Sequence, residues 1–115
     1  MGKLAVVLLS DMTEPVKVEM ALRFALTAHR EQRLADLRFY FFGPGVRVPA
    51  QLEANPALRE QLEALIEAGV TTTACLFNAR QLGEEDRLRE AEITQQGIGP
   101  ELTDLVARGY QVMTF

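Results

Sequence analysis

Apolar residues follow two rhythms along this chain. From Lys3 to Ser10 they run almost unbroken, as Leu4, Val6, Val7, Leu8 and Leu9, the pattern of a strand buried on both faces. After the polar turn from Ser10 to Pro15 the spacing changes to three and four. Val18, Ala21, Leu22, Ala25 and Leu26 then predict a helix from Pro15, a residue suited to a first turn, to about Arg30. Met20, Phe24 and Ala28 widen its stripe and leave Glu19, Arg23, Thr27 and Arg30 as the polar side. A helix so broadly apolar is buried on more than one side. A second helix of the same chain and a second subunit both satisfy it.

The alternation continues. Leu37 to Phe42 predicts a second strand that ends in Gly43-Pro44-Gly45, followed by a polar stretch treated as a loop from Val46 to Asn55. Asn55-Pro56 starts a helix, Asn as cap and Pro at the first position; Leu58, Leu62, Leu65 and Ile66 give its buried face, and Gly69 closes it. Val70 to Cys75, rich in β-branched threonine, predicts a third strand. Asn78 to Ala91 predicts one or two short charged helices around Leu82 and Leu88, with a short fourth strand over Glu92 to Gln96. Gly99-Pro100 opens a last helix with Leu102, Leu105 and Val106 facing in, Gly109 stops it, and Tyr110 to Phe115 is the final strand. Strands alternating with helices predict an α/β fold, a mainly parallel sheet of about five strands covered on both faces. With no linker and no repeat, residues 1–115 read as one domain.

Charge and composition narrow the function. A net charge of −4, with basic residues scattered beside acids, offers no basic face to displace phosphate counterions, so nucleic acid is not an expected partner. The apolar run Leu4 to Leu9 is too short for a signal peptide or a membrane span, so no membrane association and a cytoplasmic location are expected. One cysteine and one histidine provide neither an internal disulfide nor a structural zinc site. No metal and no organic cofactor are expected.

Chemistry is sought where the loops gather, at the carboxyl ends of the strands. Three segments fall there: Ser10-Asp11-Met12-Thr13, Gly43-Pro44-Gly45-Val46 and Cys75-Leu76-Phe77-Asn78. Cys75 is the candidate catalytic residue, with Asp11, Gly43, Pro44, Gly45 and Asn78 as possible lining of the site. Asn78 is a plausible cap for the helix that follows, which puts the thiol near a helix N-terminus, where unsatisfied N–H groups favour thiolate over thiol. A lone cysteine in a strand is also commonly a small buried hydrophobe, and the residues by themselves leave both roles open. Without a Cys-x-x-Cys motif, any covalent role of Cys75 is completed by another molecule. His29 falls in the last turn of the first helix and reads as a carbonyl cap or an interface residue. Asp11 and Glu14 suit helix capping as well as a carboxylate pair. Gly43-Pro44-Gly45 lacks the Lys-Ser/Thr of a phosphate-binding loop.

The ordered set of features resembles the DsrE/TusD-like group of the DsrE/DsrF superfamily, whose members include sulfur-relay proteins. The features are Leu4 to Leu9, the strand and turn Phe39-Tyr40-Phe41-Phe42-Gly43-Pro44-Gly45-Val46, the run from Gly69-Val70 to Ala74-Cys75 and Asn78, and Leu102 to Phe115 with Gly109-Tyr110. The resemblance implies a flavodoxin-like three-layer α/β/α sheet, assembly into trimers or hexamers, and, in active members, a cysteine that carries sulfur as a persulfide. Cys75 matches that cysteine by position. The leading expectation is therefore a sulfur carrier or sulfurtransferase that exchanges sulfur with donor and acceptor proteins through an exposed Cys75. The alternative is a non-catalytic oligomeric module that binds a small ligand or a protein partner.

Overall fold

The computed structural model of the chain describes residues 2–115. The two rhythms resolve into five strands: β1 (Lys3–Leu8), β2 (Asp36–Phe41), β3 (Thr71–Cys75), β4 (Thr94–Gln96) and β5 (Gln111–Thr114). Between them run α1 (Pro15–Glu31), the short α2 (Val48–Gln51), α3 (Pro56–Glu67), α4 (Leu76–Leu82), α5 (Glu85–Glu90) and α6 (Ile98–Ala107). All five strands pair in parallel, in the order β4-β3-β2-β1-β5. The result is the three-layer, flavodoxin-like α/β/α arrangement that the alternation implies.

The strand order decides which helix covers which face. The steps from β1 to β2 to β3 to β4 all run the same way across the sheet. Right-handed crossovers therefore put α1, α3 and the α4–α5 pair on one face. The return from β4 to β5 runs the opposite way and leaves α6 alone on the other. In parallel register, Leu4, Val6 and Leu8 lie beside Leu37, Phe39 and Phe41 on the α1–α3 side. Ala5 and Val7 lie beside Arg38 and Tyr40, and those beside Thr71 and Thr73, on the α6 side.

Local chemistry sets the helix ends. Asn55 caps α3 as expected, its Oδ1 accepting from Leu58 N at 3.2 Å, and Gly69 follows the helix with a left-handed φ of 82°. The inner stripe of α1 is buried as its spacing predicts, at Val18, Ala21, Leu22, Ala25 and Leu26. That helix packs beside α3, and its Phe24 ring lies 6.1 Å from that of Phe115. Val16 and Met20 stay exposed.

Two expectations are corrected. The segment from Val46 to Asn55 is not a polar loop: two 3-10 turns, Gly43–Arg47 and Leu52–Ala54, flank α2 and bury Val46, Val48, Pro49 and Leu52. The last helix starts at Ile98 and buries Ile98 and Leu105, whereas Val106 points to solvent at 57% exposure.

Candidate functional site

Cys75 ends β3 and is the residue from which α4 starts, in extended conformation with φ −67° and ψ 113°. The helix thus begins immediately after the thiol, three residues earlier than a cap at Asn78 would place it. Asn78 is not the cap. It sits inside the first turn of α4, where its Oδ1 accepts from Gly43 N at 2.8 Å. That bond ties the turn after β2 to the helix after Cys75, so two of the three expected segments do meet.

The third segment joins through Arg47 and Gln51. Asp11 is buried; its Oδ1 accepts from Thr13 Oγ1 at 2.7 Å and from Thr13 N at 2.9 Å, and Arg47 Nη1 approaches its Oδ2 at 3.4 Å. The Thr13 hydroxyl first, then the Thr13 amide and the Arg47 guanidinium, hold its carboxyl below the usual aspartate range against the opposing effect of burial. Gln51 Oε1 accepts from Met12 N at 2.9 Å. Asp11 and Glu14 form no carboxylate pair: Glu14 faces solvent beside Lys17 and caps α1 by position, without a side-chain bond.

Gly43 and Gly45 are both required by geometry. Gly43 has a left-handed φ of 56°, and a Cβ at Gly45 would overlap the main-chain carbonyl of Leu8. Pro44 is exposed between them. The turn therefore lies directly on the end of β1, stitched there by Phe42 N donating to Leu8 O at 3.0 Å.

Exposure departs from expectation. Cys75 is only 4% exposed in the single chain, and alternation puts it on the α6 side with Thr73 and Tyr40. Cys75 lines none of the five best-formed depressions among the described residues. In doubly wound sheets the ligand crevice opens between adjacent strands whose following connections leave to opposite faces, here β3 and β4, and Cys75 ends the first of them. Between the ends of β1 and β5, Leu9 N and Ser10 N donate to Phe115 O at 3.0 and 3.3 Å. Among the described residues no cluster of His, Cys, Asp and Glu has the arrangement of a metal site. His29 lines a depression of about 280 Å³ at the opposite edge of the sheet, with Gln32 and Asp36.

A family model, that of the DsrE/DsrF-like family, matches residues 2–115. The chain belongs to this DsrE/DsrF-like family. Among solved structures, this DsrE/DsrF-like chain is similar to a conserved protein of unknown function from Bacteroides thetaiotaomicron. The two share 18% identity over 98% of this chain and 94% of that one, with a TM-score of 0.81. At that identity the likeness speaks for the fold. None of the curated proteins matches the DsrE/DsrF-like sequence. No helix among its described residues is long and apolar enough to cross a membrane.

Sequence reasoning missed Arg47, Gln51 and Phe77. The first two bind partners 36 and 39 residues away, a separation that leaves no local pattern to read. Phe77, two residues after Cys75, is 65% exposed, an apolar ring presented beside the candidate site. Its position in the Cys75-Leu76-Phe77-Asn78 segment was the available signal.

Proposed function

We propose that this DsrE/DsrF-like protein carries sulfane sulfur as a persulfide on Cys75, exchanging it with donor and acceptor proteins. The observation that carries the reading is the position of the chain's one cysteine: it ends a central-sheet strand at the loop edge and starts a helix, in a family whose members include sulfur-relay proteins. The chemistry balances without a cofactor. The Cys75 thiolate attacks the outer sulfur of a donor persulfide, forming the new S–S bond as the donor's S–S bond breaks and its thiolate leaves. An acceptor thiolate then attacks the outer sulfur of the Cys75 persulfide and releases the Cys75 thiolate. A reducing cytoplasm keeps a lone thiol free for this.

Burial of Cys75 adds a condition: the covering elements must part, or a partner must part them, before sulfur passes. The test is intact-protein mass measurement after incubation with a sulfane-sulfur donor, with Cys75→Ser as control. Gain of one sulfur atom, reversed by a reducing thiol and absent from the variant, is the expected result. A folded protein that gains nothing from a donor that loads a known carrier defeats the reading.

The same burial favours a second reading, a non-catalytic homo-oligomeric module. Met20, Val112 and Met113 lie exposed on α1 and the edge strand β5, surface that a further copy would cover. Here Cys75→Ser leaves assembly and partner recovery unchanged, and a monomer at micromolar concentration by light scattering counts against it.

A further inference from the structure

A groove of about 350 Å³ runs between α3 and α5, far in character from the thiol edge. Its floor is apolar, formed by Leu62 and Ile66 of α3, Pro49 of α2 and Ala91 after α5. Its rim is acidic. Five glutamates face two arginines, and those arginines are already engaged, Arg59 with Glu63 at 3.7 Å and Arg87 with Glu53 at 3.4 Å. Glu67, Glu90 and Glu92 are left exposed and in no ion pair among the described residues. A net of three negative charges on one groove accounts for most of the chain's −4.

Glu92 follows α5 in left-handed conformation, φ 61°, as Gln32 follows α1 at φ 54°, whereas α3, α4 and α6 are followed by Gly69, Gly83 and Gly109. A glycine would relieve that backbone; the chain sets a carboxylate there instead.

We propose that this groove docks a basic amphipathic segment of another protein. Aliphatic side chains of the segment fill the floor at Leu62 and Ile66, and its Lys or Arg side chains meet Glu67, Glu90 and Glu92. The apolar floor supplies affinity, and the acidic rim sets orientation and speeds encounter. The proposal rests on the groove alone and is independent of any role for Cys75.

The probe is a synthetic helical peptide of about four turns with leucines on one face and flanking lysines. Amide shifts of the isotope-labelled full chain are followed on titration. The expected shifts are confined to residues lining α3 and α5, and binding weakens as salt rises from about 0.05 M to about 0.5 M. Glu92→Gly removes a carboxylate and relaxes the backbone, so it folds at least as well as the parent and binds several-fold more weakly. Ile66→Ser loses roughly tenfold or more, and Cys75→Ser binds as the parent does. Shifts elsewhere, no binding, or equal binding of a peptide with serines in place of leucines overturns the proposal. So does a parent protein that self-associates and becomes monomeric on Glu92→Gly, because the groove is then covered by a second copy.

Discussion

The two faces of the sheet are built on different terms. On the α1–α3 side β1 and β2 place only large apolar residues, and Val6, Leu8, Phe39 and Phe41 are shut from water beneath two helices packed side by side. On the α6 side β2 and β3 present Asp36, Arg38, Tyr40, Thr73 and Cys75, beside Ala5 and Val7 of β1, to one helix that buries only Ile98 and Leu105. At the amino-terminal end of that face polar groups pair: Tyr110 donates its hydroxyl to Asp36, and Arg38 Nε donates to the same carboxylate at 2.9 Å. Arg38, Lys3 and Arg108 all lie within 5.6 Å of the centre of the Tyr110 ring. One face holds the fold together by dry packing; the other holds it by polar partners that a single helix keeps in place. The thiol belongs to the second face.

The contrast breaks if the apolar face proves tolerant. Phe39 is fully buried, its ring 5.1 Å from that of Phe41. Phe39→Ala leaves a cavity that helices anchored on both sides cannot fill, so urea unfolding should register a loss of about 3–5 kcal/mol. A loss of about 1 kcal/mol or less would mean that this face repacks freely and that the two faces do not differ as described.

How much of this was legible depends on whether the cause is local. The stripe of α1, the Asn55 cap and Gly69 after α3 were readable because each rests on neighbours within four residues. Segment 46–54 was misread as a loop because Val46, Val48, Pro49 and Leu52 fall in turns too short to show a period. Alternation along β3 gives the face on which Cys75 lies but not its depth, which depends on elements remote in sequence. The same limit applied at Asn78, a residue type suited to capping whose carboxamide oxygen instead meets Gly43, 35 positions earlier. Strand order was equally hidden, since it is fixed by the crossover from β4 back to β5.

A smaller effect sharpens the account of the polar face. Burial pushes the Asp36 carboxyl up, but the hydrogen bonds from Tyr110 and Arg38 outweigh it and hold the group below the ordinary aspartate range. A carboxyl depressed in the folded state contributes stability that is present above its ordinary pKa and lost as pH falls through the depressed value. Asp36→Asn should therefore cost a few tenths to about 1 kcal/mol at neutral pH, its side chain being partly open to water. The gap between parent and variant should narrow as pH falls below about 4. Urea midpoints at several pH values measure this, and a gap that stays constant into acid would remove Asp36 from the pH dependence.

The smallest expected change is the most discriminating, because it removes one atom from beneath α6. The Tyr40 hydroxyl is buried without a hydrogen-bond partner, and Oε2 of Glu101, on the helix above, is buried and unpartnered as well. Burial first, and the neighbouring Glu101 second, push that phenol well above its ordinary value, so it stays protonated and able to donate. An unmade bond at a buried hydroxyl is a cost, and its removal is neutral or favourable. Tyr40→Phe should accordingly leave stability unchanged or raise it by up to about 1 kcal/mol. A loss of about 1–3 kcal/mol would show that the hydroxyl donates to Glu101 in solution. In that case the helix over Cys75 is pinned by a polar bond at its first turn, and the α6 face is held more firmly than its sparse packing implies.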